Sequence, residues 1–252
     1  MFLSLNDVSK SFGKVNAVNH VSLDLNKGEI AGLVGSNGAG KTTLFNLITG
    51  FLPMDSGEVF FKNEEITGLK PHEISRKGIV RTFQIPRALS RMSVIENMLL
   101  APKNQIGESW WKRLLRWNKV EKQEDELREK AESILDFFEL HHLKDEYAGA
   151  LSGGQKKLLE MSRALMLNPE LMLLDEPFAG VNPTLTNKLI EHLKELRDDG
   201  LTFVVIEHDI PIIDEITDHI FVMEEGKIIS KGTLDEIKKD ERVLETYLGE
   251  EL

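Results

Sequence analysis

The sequence predicts an α/β fold: a mainly parallel core sheet, an antiparallel β portion, and a helical subdomain set into the same chain. Three observations carry that prediction. First, residues 29–34 (EIAGLV) form an apolar run. It leads into the glycine-rich loop Gly35-Ser36-Asn37-Gly38-Ala39-Gly40-Lys41-Thr42-Thr43, and a helical run, residues 41–49, follows. Strand, loop and helix in this order are what a phosphate-binding loop of the form G-x-x-x-x-G-K-[ST] requires. Second, residues 171–174 (LMLL) are continuously apolar, read as a buried parallel strand, and end in Asp175-Glu176-Pro177. Third, the stretch from about Val94 to Asn168 is mostly helical in pattern and separates these two elements.

Taken in order, residues 1 to about 30 alternate apolar and polar side chains, as half-exposed antiparallel strands do, and residues 57–61 extend that portion. In the glycine loop the backbone can wrap closely around an anion. Its N–H groups and the positive end of the next helix then face phosphates. Lys41 is expected to reach the β- and γ-phosphates, and the Thr42 hydroxyl to hold Mg²⁺. In the helical stretch Leu127, Ala131, Ile134, Leu135 and Phe138 make one apolar stripe at helical spacing, a core-packing face. Leu151-Ser152-Gly153-Gly154-Gln155 precedes a further helical run, with Ser152 as its N-cap, and forms a second anion-binding helix terminus. One nucleotide does not need two such termini in one domain, so the second is expected to serve a nucleotide held by another copy.

Ligands of parallel α/β sheets sit at the carboxyl ends of strands. That places Asp175 at Mg²⁺ and Glu176 at the water that attacks the γ-phosphate, with Pro177 stopping the strand. The β pattern returns at residues 203–206 and 220–223. Residues 224–227 then turn a hairpin into 228–230, and a short charged helical tail closes the chain. The expected organisation is a single domain over residues 1–252. Its catalytic core and antiparallel portion occupy about 1–93 and 168–252, and a helical subdomain occupies about 94–167.

Composition narrows the function. The chain has 252 residues, 41% hydrophobic and 29% charged, which suits a large core. No apolar run approaches the roughly 20 residues needed to cross a bilayer. The N-terminus lacks a small-residue cleavage site, so the expectation is a cytoplasmic protein. With no cysteine there is neither a disulfide nor a thiolate metal site. A net charge of −11 argues against general nucleic-acid binding. His141-His142 reads as a helix-end loop, because adjacent residues on a helix diverge by about 100° and no further ligands lie nearby. Residues 110–117 (WWKRLLRW) hold all three tryptophans interleaved with basic residues. That composition suits either a helix at a membrane surface or a flap packed on its own domain.

The glycine loop, LSGGQ, LMLLDEP and the histidine in Val205-Ile206-Glu207-His208-Asp209 occur in the order found in ATP-binding-cassette (ABC) ATPases, which the chain resembles over essentially its whole length. The resemblance implies a P-loop NTPase fold with a RecA-like core sheet. It implies ATP and Mg²⁺ as ligands, bound through Ser36, Asn37, Gly38, Ala39, Gly40, Lys41, Thr42 and Thr43. Phe12 looks like the aromatic that stacks on adenine. Gln84, in Arg81-Thr82-Phe83-Gln84, looks like the glutamine that ligates Mg²⁺ and water. His208 looks like the histidine that contacts the γ-phosphate. Catalysis is thereby assigned to Glu176, His208 and Gln84, and the metal to Thr42, Gln84 and Asp175.

Residues 179–182 occupy the place of the D-loop, with Asn182 where that loop usually ends in Asp. Two cassettes, identical or paralogous, are implied to sandwich two nucleotides. Ser152, Gly153, Gly154 and Gln155 of one then complete the site of the other. Partners implied are two transmembrane permease subunits and, indirectly, an extracytoplasmic solute-binding protein, which places the chain on the inner face of the cell membrane. More narrowly, residues 81–84, 179–183, 246–250 and the extra segment 102–123 resemble branched-chain amino-acid uptake ATPases. Cassettes for urea, other amides and lipopolysaccharide export share the C-terminal ending. A soluble ABC ATPase acting on nucleic acid or ribosomes is a further alternative.

Overall fold

The computed structural model describes residues 1–82, 88–102 and 117–243, with 117–120 described as helical backbone. These fall into two compact units. One takes in the described residues of Met1–Gln84, Glu170–Ala179 and Asn187–Leu252, the other those of Ile85–Pro169 and Gly180–Thr186.

The first unit is built on two sheets. Strands β1 (Leu3–Phe12), β2 (Val15–Leu25), β4 (Ser56–Phe61) and β5 (Glu64–Glu65) form an antiparallel sheet in the order β2-β1-β4-β5. Leu3, Leu5 and Val8 of β1 are buried while the residues between them are partly or fully exposed, the half-buried pattern expected of such strands. The second sheet has the order β10-β9-β3-β8-β7-β6, from β3 (Ile30–Val34), β6 (Ile79–Arg81), β7 (Leu171–Asp175), β8 (Thr202–Ile206), β9 (His219–Glu224) and β10 (Lys227–Gly232). Its neighbours run parallel except β10, which returns antiparallel to β9. Every residue of β3, β7 and β8 is buried. That burial explains why they are apolar apart from Asp175 at the end of β7 and Thr202 at the start of β8, since both faces of a parallel sheet are covered.

Helix α1 (Lys41–Ile48) puts Leu44, Phe45, Leu47 and Ile48 into one core with Leu3, Leu25 and Phe61 of the first sheet and Leu171, Leu173 and Ile206 of the second. Helix α2 (Pro71–Lys77) adds Ile74 to it.

In the second unit, helix α3 (Val94–Leu99) starts at a capping box. The Ser93 hydroxyl accepts from the Glu96 N–H and the Glu96 carboxylate accepts from the Ser93 N–H. Asn97 is fully buried, yet its amide accepts from the Leu89 N–H and donates to the Ser93 carbonyl. Helix α4 (Trp117–Phe137) carries the apolar stripe. Ala131, Leu135 and Phe138 are buried and Leu127 and Ile134 half-buried, as a helix with one packed face requires. Helix α5 (Gly153–Leu165) starts within Leu151-Ser152-Gly153-Gly154-Gln155, with Ser152 as its N-cap. Helix α6 (Pro183–Asp198) begins in the second unit and continues in the first, which also holds α7 (Ile210–Ile216) and α8 (Leu234–Ile237). Among the described residues no helix is long and apolar enough to cross a membrane. Trp110 and Trp111 lie outside the described residues, and Trp117 begins α4.

Candidate functional site

Strand register gathers the candidate site. Strands β3, β8 and β7 are consecutive in the sheet, and Ile206 pairs with Leu33 on one side and with Asp175 on the other. The glycine loop, Glu207-His208 and Glu176 therefore leave the sheet side by side at its carboxyl edge, where open parallel sheets bind ligands.

The loop is held closed by its own backbone and by the β9–β10 hairpin. The Ala39 N–H donates to the Ser36 carbonyl at 3.1 Å, and the Gly226 N–H donates to the Ala39 carbonyl at 2.9 Å. Gly40 has φ of 106°, and a Cβ there would lie 2.1 Å from the Ala17 carbonyl oxygen, so conformation and space both demand glycine. Asn37 and Gly38 are exposed at the loop tip and Ala39 is buried beneath. Thr42 is exposed and Thr43 half-buried in the first turn of α1. The Ser36 hydroxyl donates to Glu224 at 2.9 Å.

Lys41 is buried and curls back over the loop, donating to the carbonyls of Gly35 at 2.6 Å and Ser36 at 2.9 Å. Burial lowers its pKa below the usual lysine value, and Glu176, Asp175 and Glu224 pull it the other way.

Asp175 ends β7 almost buried. Its Oδ2 accepts from Arg81 Nη2 at 2.8 Å. Glu176 follows with φ of 50°, a conformation uncommon outside glycine and a recognised form of strain at functional positions. Its N–H still donates to the Ile206 carbonyl at 2.9 Å, which fixes the turn. Its Oε1 lies 2.8 Å from His208 Nε2. Glu207, also buried, accepts from the Phe178 N–H at 2.9 Å and from the His208 N–H at 3.1 Å. It thus ties the segment after Glu176 to the segment carrying His208.

Among the described residues, Glu207, Glu224 and Arg81 border this site without a catalytic or binding role in the sequence reading. A charged residue directly after the apolar run of β8 was the available signal for Glu207. Glu224 and Arg81 offered none, because their partners are remote in sequence.

The structure brings together the glycine loop, Lys41, Asp175, Glu176 and His208 in the first unit. Phe12 lies at the end of β1 in the same unit, 49% exposed, with the Lys10 ammonium 5.8 Å from its ring. Gln84 lies outside the described residues. Ser152, Gly153, Gly154 and Gln155 belong to the second unit, where Ser152 caps α5. Its hydroxyl accepts from the Gln155 N–H at 3.3 Å, and the Gln155 side chain accepts from the Ser152 N–H at 2.9 Å. Ser152 and Gly153 are exposed and Gly154 is packed toward Leu185. Asn182 accepts from the Leu185 N–H at 2.9 Å, in the manner of an N-cap for α6. His141 opens a 3-10 turn, Nδ1 3.6 Å from Asp136. Among the described residues no cluster of three or more His, Asp or Glu is arranged to hold a metal. A hydroxyl and a carboxylate, Thr42 and Asp175, are nonetheless an all-oxygen donor pair of the kind Mg²⁺ takes, with phosphates and water as its other ligands.

Residues 18–179 match the family described as ABC transporter. The chain is 45% identical over 247 residues to the "Probable branched-chain amino acid transport ATP-binding protein LivG" of Archaeoglobus fulgidus, covering 98% of this chain and 95% of that protein. Among solved structures, the ADP conformation of an ATP-binding cassette of an ABC transporter is 42% identical with a TM-score of 0.84, covering 99% of both chains. A cassette solved as a dimer in a post-hydrolysis state bound to ADP and Pi is 25% identical with a TM-score of 0.76, covering 92% of this chain and 99% of that one. The chain thus belongs to the ABC transporter family, and its fold is that of solved ATP-binding cassettes.

Proposed function

We propose that this chain hydrolyses ATP to ADP and phosphate and so powers an ABC importer for branched-chain or related amino acids. The observation that carries hydrolysis is the 2.8 Å contact between Glu176 and His208 at the sheet edge, in a site whose Lys41 ammonium feels Glu176, Asp175 and Glu224 together. Phosphoryl transfer asks a protein for positioning and charge neutralisation. In the proposed complex Lys41 exchanges its two loop carbonyls for the β- and γ-phosphates, and the loop N–H groups and the α1 terminus face the same oxygens. Thr42 and Asp175, joined by Gln84, hold Mg²⁺, which when bound neutralises charge on those oxygens. Glu176 orients a water and takes its proton as the water oxygen bonds to the γ-phosphorus and the β–γ bridging bond breaks. His208 steadies Glu176 and contacts the γ-phosphate, and Phe12 stacks on the adenine.

Ser152 to Gln155 act on the nucleotide of a second cassette, consistent with an exposed signature serine and with the dimeric relative. The amino-acid cargo follows the name of the Archaeoglobus relative. The assembly proposed is two such cassettes beneath two permeases, fed by an external binding protein, on the inner face of the membrane. Co-purification with permeases encoded beside this chain, then leucine uptake by vesicles containing the complex and internal ATP, tests the assignment. ATP-driven uptake of urea in place of leucine would redirect it, and phosphate release without any permease association would remove the transport role.

A further inference from the structure

Arg81 ends β6, the edge strand, and pairs in register with Leu173 of β7, two residues short of Asp175. Its side chain is only 4% exposed. One fork nitrogen donates to Asp175 Oδ2 at 2.8 Å, the other to Asn46 Oδ1 at 2.6 Å, and the guanidinium carbon lies 5.5 Å from the centroid of the Phe45 ring. Asn46 and Phe45 belong to α1, the helix whose first residues are Lys41 and Thr42. The guanidinium thus bridges the helix that follows the glycine loop and the strand that ends in Asp175.

A buried ion pair is a poor device for stability alone, because an apolar side chain of similar volume avoids the desolvation of two charges. What a planar fork supplies is orientation: with one nitrogen fixed on Asn46, the other holds a single carboxylate oxygen. We propose that Arg81 is a positioning residue for the metal. It takes Oδ2 of Asp175, sets the plane of that carboxylate relative to Thr42, and leaves Oδ1 for Mg²⁺. This rests on the nucleotide-site reading above.

The test is the Mg²⁺ advantage in ATP affinity, the ratio of dissociation constants measured in EDTA and in excess Mg²⁺, in the Glu176→Gln background where nothing turns over. Groups that hold a metal ligand in place change metal affinity by about 10–100-fold when removed. Arg81→Met should shrink the Mg²⁺ advantage by that range and leave affinity in EDTA unchanged. Arg81→Lys keeps the charge but cannot span Asn46 and Asp175 together, so it should recover part of the advantage. Asn46→Ala leaves the ion pair and loosens the fork. It should shrink the advantage in the same direction, and it serves if Arg81→Met does not fold. Melting temperature is read alongside. Equal loss of affinity with and without Mg²⁺, or a lower melting temperature with an unchanged Mg²⁺ advantage, overturns the proposal and leaves Arg81 a structural strut. If the Glu176→Gln parent itself binds no ATP in EDTA or Mg²⁺, the nucleotide reading fails first and this one with it.

Discussion

His208 Nε2 stands 2.8 Å from Glu176 Oε1, although the two residues follow different strands and lie 32 positions apart. Each is held from behind. The Glu176 N–H is fixed on the Ile206 carbonyl, and the His208 N–H is fixed on Glu207. The pair thus joins the ends of β7 and β8 at the carboxyl edge of the sheet, beside the glycine loop.

Glu176→Gln preserves the size of that side chain and its contact with His208 while removing the carboxylate that accepts a proton from water. General-base catalysis is worth about 10²–10⁴-fold, so phosphate release should fall by at least that range while ATP binding persists. Persisting ATP should also hold two cassettes together. A variant that releases phosphate at the wild-type rate would exclude Glu176 as the base.

Glu207 is the buried carboxylate that organises this edge. In Glu207→Gln, the amide group has one oxygen for two N–H donors, those of Phe178 and His208, and presents an NH₂ to one of them. Leaving a buried donor unmatched costs about 1–3 kcal/mol. We expect a lower melting temperature together with slower turnover, because the His208 segment loses its anchor, and metal-free ATP affinity close to wild type. Turnover unchanged at reduced stability would show that the anchor does not matter to the chemistry.

The elements of this chain were legible in sequence to different degrees, for physical reasons. Strands β3 and β7 read clearly because burial on both faces leaves a continuous apolar run, and Ser152 read as a cap because its role is local. Arg81 read only as part of the 81–84 resemblance and Glu224 only as part of a hairpin turn; neither showed its contact at the site. Their meaning comes from pairing with Asp175 and Ser36, 94 and 188 positions away, which only the sheet order brings about. The contact of Glu207 was hidden as well, since nothing in its neighbours announces that Phe178 will present an N–H to it. The inward curl of Lys41 onto its own loop carbonyls was equally hidden, since the motif specifies the residue and not its resting partner.

The capping box at Ser152 separates two roles that a bulky substitution would confuse. Ser152→Asp keeps an N-cap acceptor of comparable strength, so α5 should lose no more than about 0.5 kcal/mol. It also places a carboxylate where the γ-phosphate of a second cassette is proposed to sit. In the Glu176→Gln background, size-exclusion chromatography should show ATP-dependent dimers with Ser152 and monomers with Ser152→Asp, at equal melting temperatures. Dimers that form as readily with the aspartate would exclude contact between this loop and the opposing nucleotide.

Lys41 makes nucleotide binding responsive to pH in a calculable direction. Its pKa is lowered, chiefly by burial. Between that lowered value and the ordinary lysine value near 10.4 the folded state therefore binds fewer protons than the unfolded chain, so this contribution to stability increases as pH rises through that window. Phosphates placed against the ammonium favour its charged form and raise the pKa again. Binding in the same window must then take up a proton, and ATP affinity should fall as pH rises, by up to about tenfold per pH unit. Calorimetric titrations at several alkaline pH values below the ordinary lysine value, each in two buffers of different ionisation enthalpy, read the uptake directly, as a difference in apparent binding enthalpy that grows with pH. Lys41→Met should bind more weakly at the lowest of these pH values and show no such growth. Proton release on binding, or uptake that survives in Lys41→Met, would place the titrating group elsewhere and leave the inward curl of Lys41 without consequence for binding.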